Sequence, residues 1–207
     1  MDAQRRSKMV EPIRLFNLNG KLVLGSKSPR RNELLQILNI PFSIRASEVD
    51  EIAPSNLNDI DTVSWIARQK SDALLNSIKS GEILLTADTE VWMDEKRFGK
   101  PKGIDKCIEM LLKLNGREHR VISSVWATDG KIWKNSSQVT LVKFEKLPKT
   151  WIKWYAQNYK PFDKAGGYGV QEWIGHIGIK QIEGSYDNVK GLPLNSVLEV
   201  LKPWLRS

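Results

Sequence analysis

The chain is predicted to adopt an α/β fold, because short apolar runs alternate with segments whose apolar residues recur at helical spacing. Leu22 to Gly25 is one such run, followed by Leu34, Leu35 and Leu38; Ile83 to Thr86 is another, preceded by Val63, Ile66, Ala67 and Leu74. Two alternating stretches, His119 to Thr128 and Lys131 to Glu145, flank Asp129-Gly130, a hairpin signal that adds antiparallel strands. The 207 residues allow one domain or two small lobes around a shared core. Residues 1–20 are polar and lack a signal-peptide apolar segment, so they read as a flexible leader to a folded unit spanning 21–207.

After the first strand, Ser28 reads as a helix N-cap and Pro29 as the first helical residue, which puts Arg30 and Arg31 in the first turn. That end of a helix is already positive, and each exposed cation there costs roughly 0.3 to 1 kcal/mol. The hydroxyls of Ser26 and Ser28, the free backbone N–H groups and two guanidinium forks therefore point to a polyphosphate site, with a solvated basic turn as the competing explanation. Asn39 ends the helix, and Pro41 opens an extended segment that finishes in the acidic cluster Glu48, Asp50 and Glu51. Carboxylates near a phosphate site are carriers for a hard divalent cation.

A second helix is expected from Asp61 to Ser80, closed by Gly81, with Lys70 on its apolar stripe. A lysine pointing inward needs an anionic partner, either a carboxylate or a ligand phosphate. Ile83 to Thr86 reads as a buried strand with Asp88 and Thr89 projecting from its end, before a separate extended run at Val91 to Met93. A polar turn at Asp94 to Arg97 leads to Gly99, Lys100 and Pro101, and Asp105 to Asn115 forms a helix capped by Gly116. Cys107 lies on the apolar face of that helix and reads as packing.

Beyond the hairpin, the aromatic residues Trp126, Trp133, Phe144, Trp151, Trp154 and Tyr155 read as core or interface, and His119 and His176 lack metal-ligand spacing. Glycines at 166, 167 and 169 suit a loop whose backbone approaches a ligand, and Gln171 follows with an amide able to read a base edge. Ile177 to Ile182 reads as a strand and EGSYDNVKG as a polar loop. Pro193 starts a last helix with Leu194, Val197, Leu198 and Leu201 on one face.

The net charge of +8 suits a polyanionic partner, and the basic residues form no dense aromatic-interleaved block, so a compact phosphate pocket is favoured over a nucleic-acid footprint. Hydrophobic residues at 41% and charged ones at 27% exclude a disordered chain. One cysteine excludes an internal disulfide framework and, with no apolar run long enough to span a bilayer, places the expected protein in the cytoplasm.

Five stretches, SKSPRRNELL at Ser26, SEVDE at Ser47, TADTEV at Thr86, GKPKG at Gly99, and DKAGGYGVQ at Asp163 with IEGSYDNVKGLPL at Ile182, make the chain resemble the Maf family of nucleoside triphosphate pyrophosphatases from Leu22 to Leu205. The resemblance implies a long, curved mixed sheet dividing two lobes with flanking helices and the nucleotide in the cleft between them. It implies hydrolysis to a monophosphate and pyrophosphate with Mg²⁺ or Mn²⁺. It further implies Asp88 as proton acceptor, Ser28, Arg30 and Arg31 as phosphate binders, Glu51 as the acidic-loop carboxylate joining Asp88 at the metal, and Lys70 and Lys100 as the two lysines of the site. Arg30, Thr89 and Gln171 match positions tied to base preference, and GYGVQ resembles the branch acting on dTTP and UTP. The family commonly forms dimers, and eight tryptophans leave room for an apolar interface. Four places depart from the family pattern: Gly25 where alanine is common, Thr86 where glycine often stands, Ser124, and the pair Glu172-Trp173. The alternative from another class is a non-catalytic nucleotide or nucleic-acid binder; a carboxylate such as Asp88 among phosphate-binding lysines adds nothing to binding alone.

Overall fold

The computed structural model describes residues 15–46 and 49–206. Residues 1–14 of the expected leader, and Glu48 of the expected acidic cluster, lie outside the described residues. From Phe16 onward the chain is already docked: Leu18 bridges Leu205, the Asn19 N–H donates to the Trp204 carbonyl at 2.7 Å, and Phe16 and Leu18 pack on the core.

Among the described residues seven strands form one mixed sheet. They are β1 (Lys21–Leu24), β2 (Phe42–Ile44), β3 (Glu82–Met93), β4 (Lys96–Phe98), β5 (Glu118–Thr128), β6 (Trp133–Phe144) and β7 (Ile179–Glu183). The order is β2-β1-β3-β5-β6-β7, parallel across the first three and antiparallel beyond, with β4 folded back on β3. Helices α1 (Pro29–Ile37), α2 (Asp59–Leu74), α3 (Ile104–Leu114), α4 (Lys149–Tyr159), α5 (Trp173–Gly178), α6 (Tyr186–Lys190) and α7 (Leu194–Leu201) flank it.

The sequence signals place most of these elements, and the differences have local causes. α1 begins at Pro29 as expected, but the Ser28 side chain makes no capping bond, which leaves its hydroxyl for the cleft. Asn39 turns the chain with φ 52°. α2 is true-capped by Asn58, whose side chain accepts from the Asp61 N–H at 2.8 Å, and Asp59 and Asp61 suit its positive end. It stops at Leu74, six residues short of the expected Ser80, where the Ser77 hydroxyl takes the Leu74 carbonyl at 2.7 Å and a 3-10 turn follows. Gly81, at φ +79°, instead turns the chain into β3.

β3 is one strand and not two. Its pairing with β5 runs unbroken from Leu84 to Trp92, so Asp88 sits in mid-strand and not at a strand end. β4 was not anticipated: its three residues are too few for a periodic signal, and it exists because Asp94 and Glu95, at φ 50° and 56°, form a tight hairpin turn. α5 replaces the first two residues of the expected Ile177–Ile182 strand, and its Gly175 is forced by geometry, since an added Cβ would lie 2.0 Å from the Val170 carbonyl. α6 occupies the expected polar loop; the Ser185 hydroxyl caps it, and buried Asn188 donates to the Val121 carbonyl at 2.9 Å and to Thr140 at 2.8 Å. Long-range bonds of that kind leave no periodic trace.

One face of β3 shows how the fold opens a site. Ile83, Leu85 and Ala87 belong to a core cluster with β1, α1 and α7, while Val91 and Met93 belong to a second cluster with α3, α4 and Tyr168. Thr89 lies between the two. Laterally, β1 pairs with β3 only as far as Leu85, and β4 only from Val91. Thr86 to Glu90 are thus left without a strand neighbour on that side, and a cleft enters there.

Candidate active site

Ser26, Ser28, Arg30, Arg31, Glu51, Lys70, Asp88, Thr89, Lys100 and Gln171 all line one cleft of about 390 Å³, a volume suited to a nucleotide-sized ligand. The structure brings every one of the sequence-selected residues together, although they come from six separate segments of chain.

The floor of the cleft is carboxylate. Because strand side chains alternate, Thr86, Asp88 and Glu90 share the face of β3 that meets α2. Lys70 on α2 reaches that face, with Nζ 2.5 Å from Asp88 Oδ1 and 3.0 Å from Glu51 Oε1. Lys100, on the loop after β4, donates to the same Glu51 oxygen at 2.6 Å. Burial pushes the Glu51 carboxyl up, but the two lysines outweigh it and hold it at about 2. The inward-pointing Lys70 has the anionic partners its position on the stripe requires.

The wall formed by the start of α1 is basic. The Arg31 Nε–H donates to the Gly191 carbonyl at 2.9 Å, and its terminal nitrogens reach Ser26 and Thr89 at 3.4 Å. Burial pulls this guanidinium below its ordinary value. Arg30 faces across the cleft to Asp163 at 2.6 Å. No acidic residue lies in the first turn of α1, so the cationic end is uncompensated within the helix itself.

The opposite wall is the glycine loop. Gly166 and Gly167 both sit at φ +70°, conformations that L side chains rarely adopt. The Gly169 N–H donates to the Tyr155 hydroxyl at 3.2 Å, Tyr155 donates to Glu172, and Lys164 bridges Glu172 at 3.0 Å and Asp163 at 2.8 Å. Gln171 is held between these anchors with its Oε1 buried and without a hydrogen-bond partner.

Four contributors were not selected from sequence. Asp163 and Lys164 stand inside the glycine-rich segment, where their charges were the available signal. Gly191 contributes a carbonyl, which no side-chain pattern reveals. Glu90 lies two residues from Asp88, which places it on the same strand face. It is 2% exposed and pushed up to about 7 by burial and by the Asp88 charge, against the pull of Arg97 at 2.6 Å.

The carboxylates fit a divalent cation. One oxygen each from Glu51, Asp88 and Glu90 lie within 4.8 Å of one another. Asp88 Oδ2 and Glu90 Oε2 are buried and have no hydrogen-bond partner. Hard, anionic oxygens left unpaired are the donor set that such an ion takes.

Relatives match over most of the chain. A dTTP/UTP pyrophosphatase of Christiangramia forsetii is 43% identical over 189 residues, covering 91% of this chain and 96% of that protein. Those of Flavobacterium psychrophilum (44% over 179 residues, 86% of this chain and 92% of that one) and Bacteroides thetaiotaomicron (42% over 183 residues, 88% and 95%) match similarly. Among solved structures, the Ham1 protein of Staphylococcus aureus aligns with a TM-score of 0.41 at 14% identity, over 60% of this chain and 71% of that one. No helix among the described residues is long and apolar enough to cross a membrane. The model of the family described as Maf-like protein matches residues 21–204, strand β1 through the C-terminal turn, and the chain belongs to that family.

Proposed function

We propose that this chain hydrolyses dTTP and UTP to the monophosphate and pyrophosphate, assisted by Mg²⁺ or Mn²⁺ held at Glu51 and Asp88. The observation that carries this reading is the juxtaposition, in one cleft, of a basic wall and a carboxylate floor on which Asp88 keeps an unpaired buried oxygen. The names of the relatives support the choice of nucleotide.

A triphosphate carries about four negative charges, so neutralisation and positioning come first. Arg30, Arg31, Lys70 and Lys100 supply four positive charges around the cleft. Lys100 is half exposed and sits in a loop, so it can leave Glu51 for a phosphate oxygen; Lys70, only 13% exposed, stays close to the reacting centre. The bound cation would polarise the α-phosphate and acidify a water. Asp88 would orient a water and take its proton, for attack on the α-phosphorus and expulsion of pyrophosphate. Thr89, fixed by Ser123 at 2.8 Å and by the Gly191 carbonyl at 3.2 Å, sets the depth to which the nucleotide enters. The Gln171 amide can accept from the N3–H of a uracil or thymine and donate to the adjacent carbonyl, an edge that the two bases share.

The test is product analysis. The protein is incubated with a panel of nucleoside triphosphates and Mg²⁺ or Mn²⁺, and pyrophosphate is measured against orthophosphate. Pyrophosphate with dTTP and UTP is expected. Orthophosphate would make the protein a phosphatase, and the absence of any product would leave it a nucleotide binder.

A further inference from the structure

Resting on the reading just given, we infer that Glu90 is a third carboxylate ligand of the cation site, aimed into it by Arg97. Glu90 uses only one of its two oxygens in the fold. Oε1 accepts from Arg97 at 2.6 Å, while Oε2 has no hydrogen-bond partner on a side chain 3% exposed. A buried carboxylate whose only task was to neutralise Arg97 would leave no such oxygen, because an unpaired buried acceptor is costly. Asp88 shows the same division two residues earlier on the same strand face: Oδ1 is taken by Lys70 at 2.5 Å, and Oδ2 is unpaired.

One carboxylate oxygen from each of Asp88, Glu90 and Glu51 belongs to a set lying within 4.8 Å. An octahedral ion with bonds of about 2.1 Å places cis oxygens roughly 3 Å and trans oxygens roughly 4.2 Å apart, so the three oxygens would draw together onto one ion as it binds. A Cβ added at Gly99 would lie 3.8 Å from Glu90 Oε2, so this oxygen sits beside the loop that carries Lys100. Arg97 also donates to the backbone carbonyl of Glu51 at 3.3 Å. One guanidinium therefore ties down two of the three carboxylate residues and fixes the direction in which Oε2 faces. Lys70, Lys100 and Arg97 balance the three carboxylates before any cation arrives, which keeps the cluster compact until then.

Mn²⁺ binding, read by electron paramagnetic resonance of the free ion, tests the assignment without turnover. Titrations are run with Mn²⁺ alone and with a dUTP analogue carrying an α,β-imido bridge. Glu90→Gln keeps the shape and the Arg97 contact while removing the charge, and it should weaken Mn²⁺ binding about tenfold or more with circular dichroism unchanged. Should Glu90→Gln fail to fold, Glu90→Asp carries the same reading: it keeps the charge beside Arg97 but withdraws the oxygen by one methylene, and a ligand must still lose several-fold affinity. Mn²⁺ affinity within twofold of wild type in the folded variant would make Glu90 only the partner of Arg97 and overturn the inference. A wild-type protein that binds no Mn²⁺ in either titration would overturn both this assignment and the cation-assisted reaction above.

Discussion

Arg30 of α1 and Asp163 of the glycine loop meet across the mouth of the cleft at 2.6 Å, joining its two walls. Asp163 also receives Lys164 at 2.8 Å; burial pushes its carboxyl up, but the two cations outweigh this and hold it at about 2. The carboxylate thus competes with an incoming phosphate for Arg30. Asp163→Asn should lower KM for dTTP about two- to fivefold and leave stability within about 0.5 kcal/mol, because the pair is partly exposed. Initial rates at fixed ionic strength check this; a raised KM would mean that Asp163 positions Arg30 instead of competing for it.

Asp88 is the residue whose loss should separate binding from chemistry. Asp88→Asn keeps the side-chain shape, and Lys70 keeps its bond to Glu51, so the site stays assembled. Turnover, followed by pyrophosphate release, should fall by about 10² or more, the range for a positioned acid–base group. Calorimetry with the imido analogue should find affinity changed by no more than a few-fold. Activity within tenfold of wild type would take Asp88 out of the proton-transfer step.

How much was legible in the sequence depended on whether a residue's environment is local. Arg30 and Arg31 could be read because Ser28-Pro29 fixes the helix start, and Lys70 because helical spacing from Val63, Ile66 and Leu74 fixes its direction. Asp88 was readable as a functional carboxylate but not as a mid-strand residue, since the pairing partner that keeps β3 continuous is supplied by β5, more than thirty residues later. α6 was illegible for the same reason, its register depending on Asn188 reaching β5 and β6. Glu90 carried a signal, period two from Asp88, but its meaning depended on Arg97 folding back through a turn that no periodicity announces.

Gly25 and Thr86, two of the departures from the family pattern, prove to be neighbours. A Cβ at Gly25 would lie 2.7 Å from the Thr86 methyl and 3.0 Å from a Leu74 methyl. Thr86 is fully buried, with its hydroxyl donating to the Ala67 carbonyl at 2.9 Å and sitting 2.6 Å from the Ser71 hydroxyl. The glycine therefore makes room for the threonine. Gly25→Ala alone should cost about 1–3 kcal/mol by overpacking. Adding Thr86→Ser removes the methyl and keeps both hydroxyl contacts, so the double variant should recover about 1 kcal/mol or more relative to additivity. Urea unfolding of the four proteins measures the coupling, and strict additivity would show that the backbone absorbs the new methyl.

His119 gives the fold an acid-sensitive point away from the carboxylates. The ring is 2% exposed, stacked edge-on with Phe144 and Tyr168, with Nε2 2.7 Å from the Tyr168 hydroxyl and Nδ1 unpartnered. Burial lowers its value from 6.5 to about 3. Between those values the unfolded chain binds a proton that the folded chain refuses, so stability falls as pH drops below 6.5. At 1.36 kcal/mol per unit the loss reaches about 2 kcal/mol by pH 5. Glu51 and Asp163, held near 2, lose their contributions only as pH falls below the ordinary carboxylate range, so they fall outside this window. Glu90 works in the opposite direction, because its raised value lets the folded state bind a proton first as pH falls from about 7. That term is common to the wild type and a His119→Phe variant and cancels in their comparison. The variant should be less stable at pH 7, with the Tyr168 hydroxyl left unpaired, yet lose about 2 kcal/mol less than wild type between pH 7 and pH 5. Urea midpoints at the two pH values decide it, and parallel losses in both proteins would show that His119 does not set the acid limit.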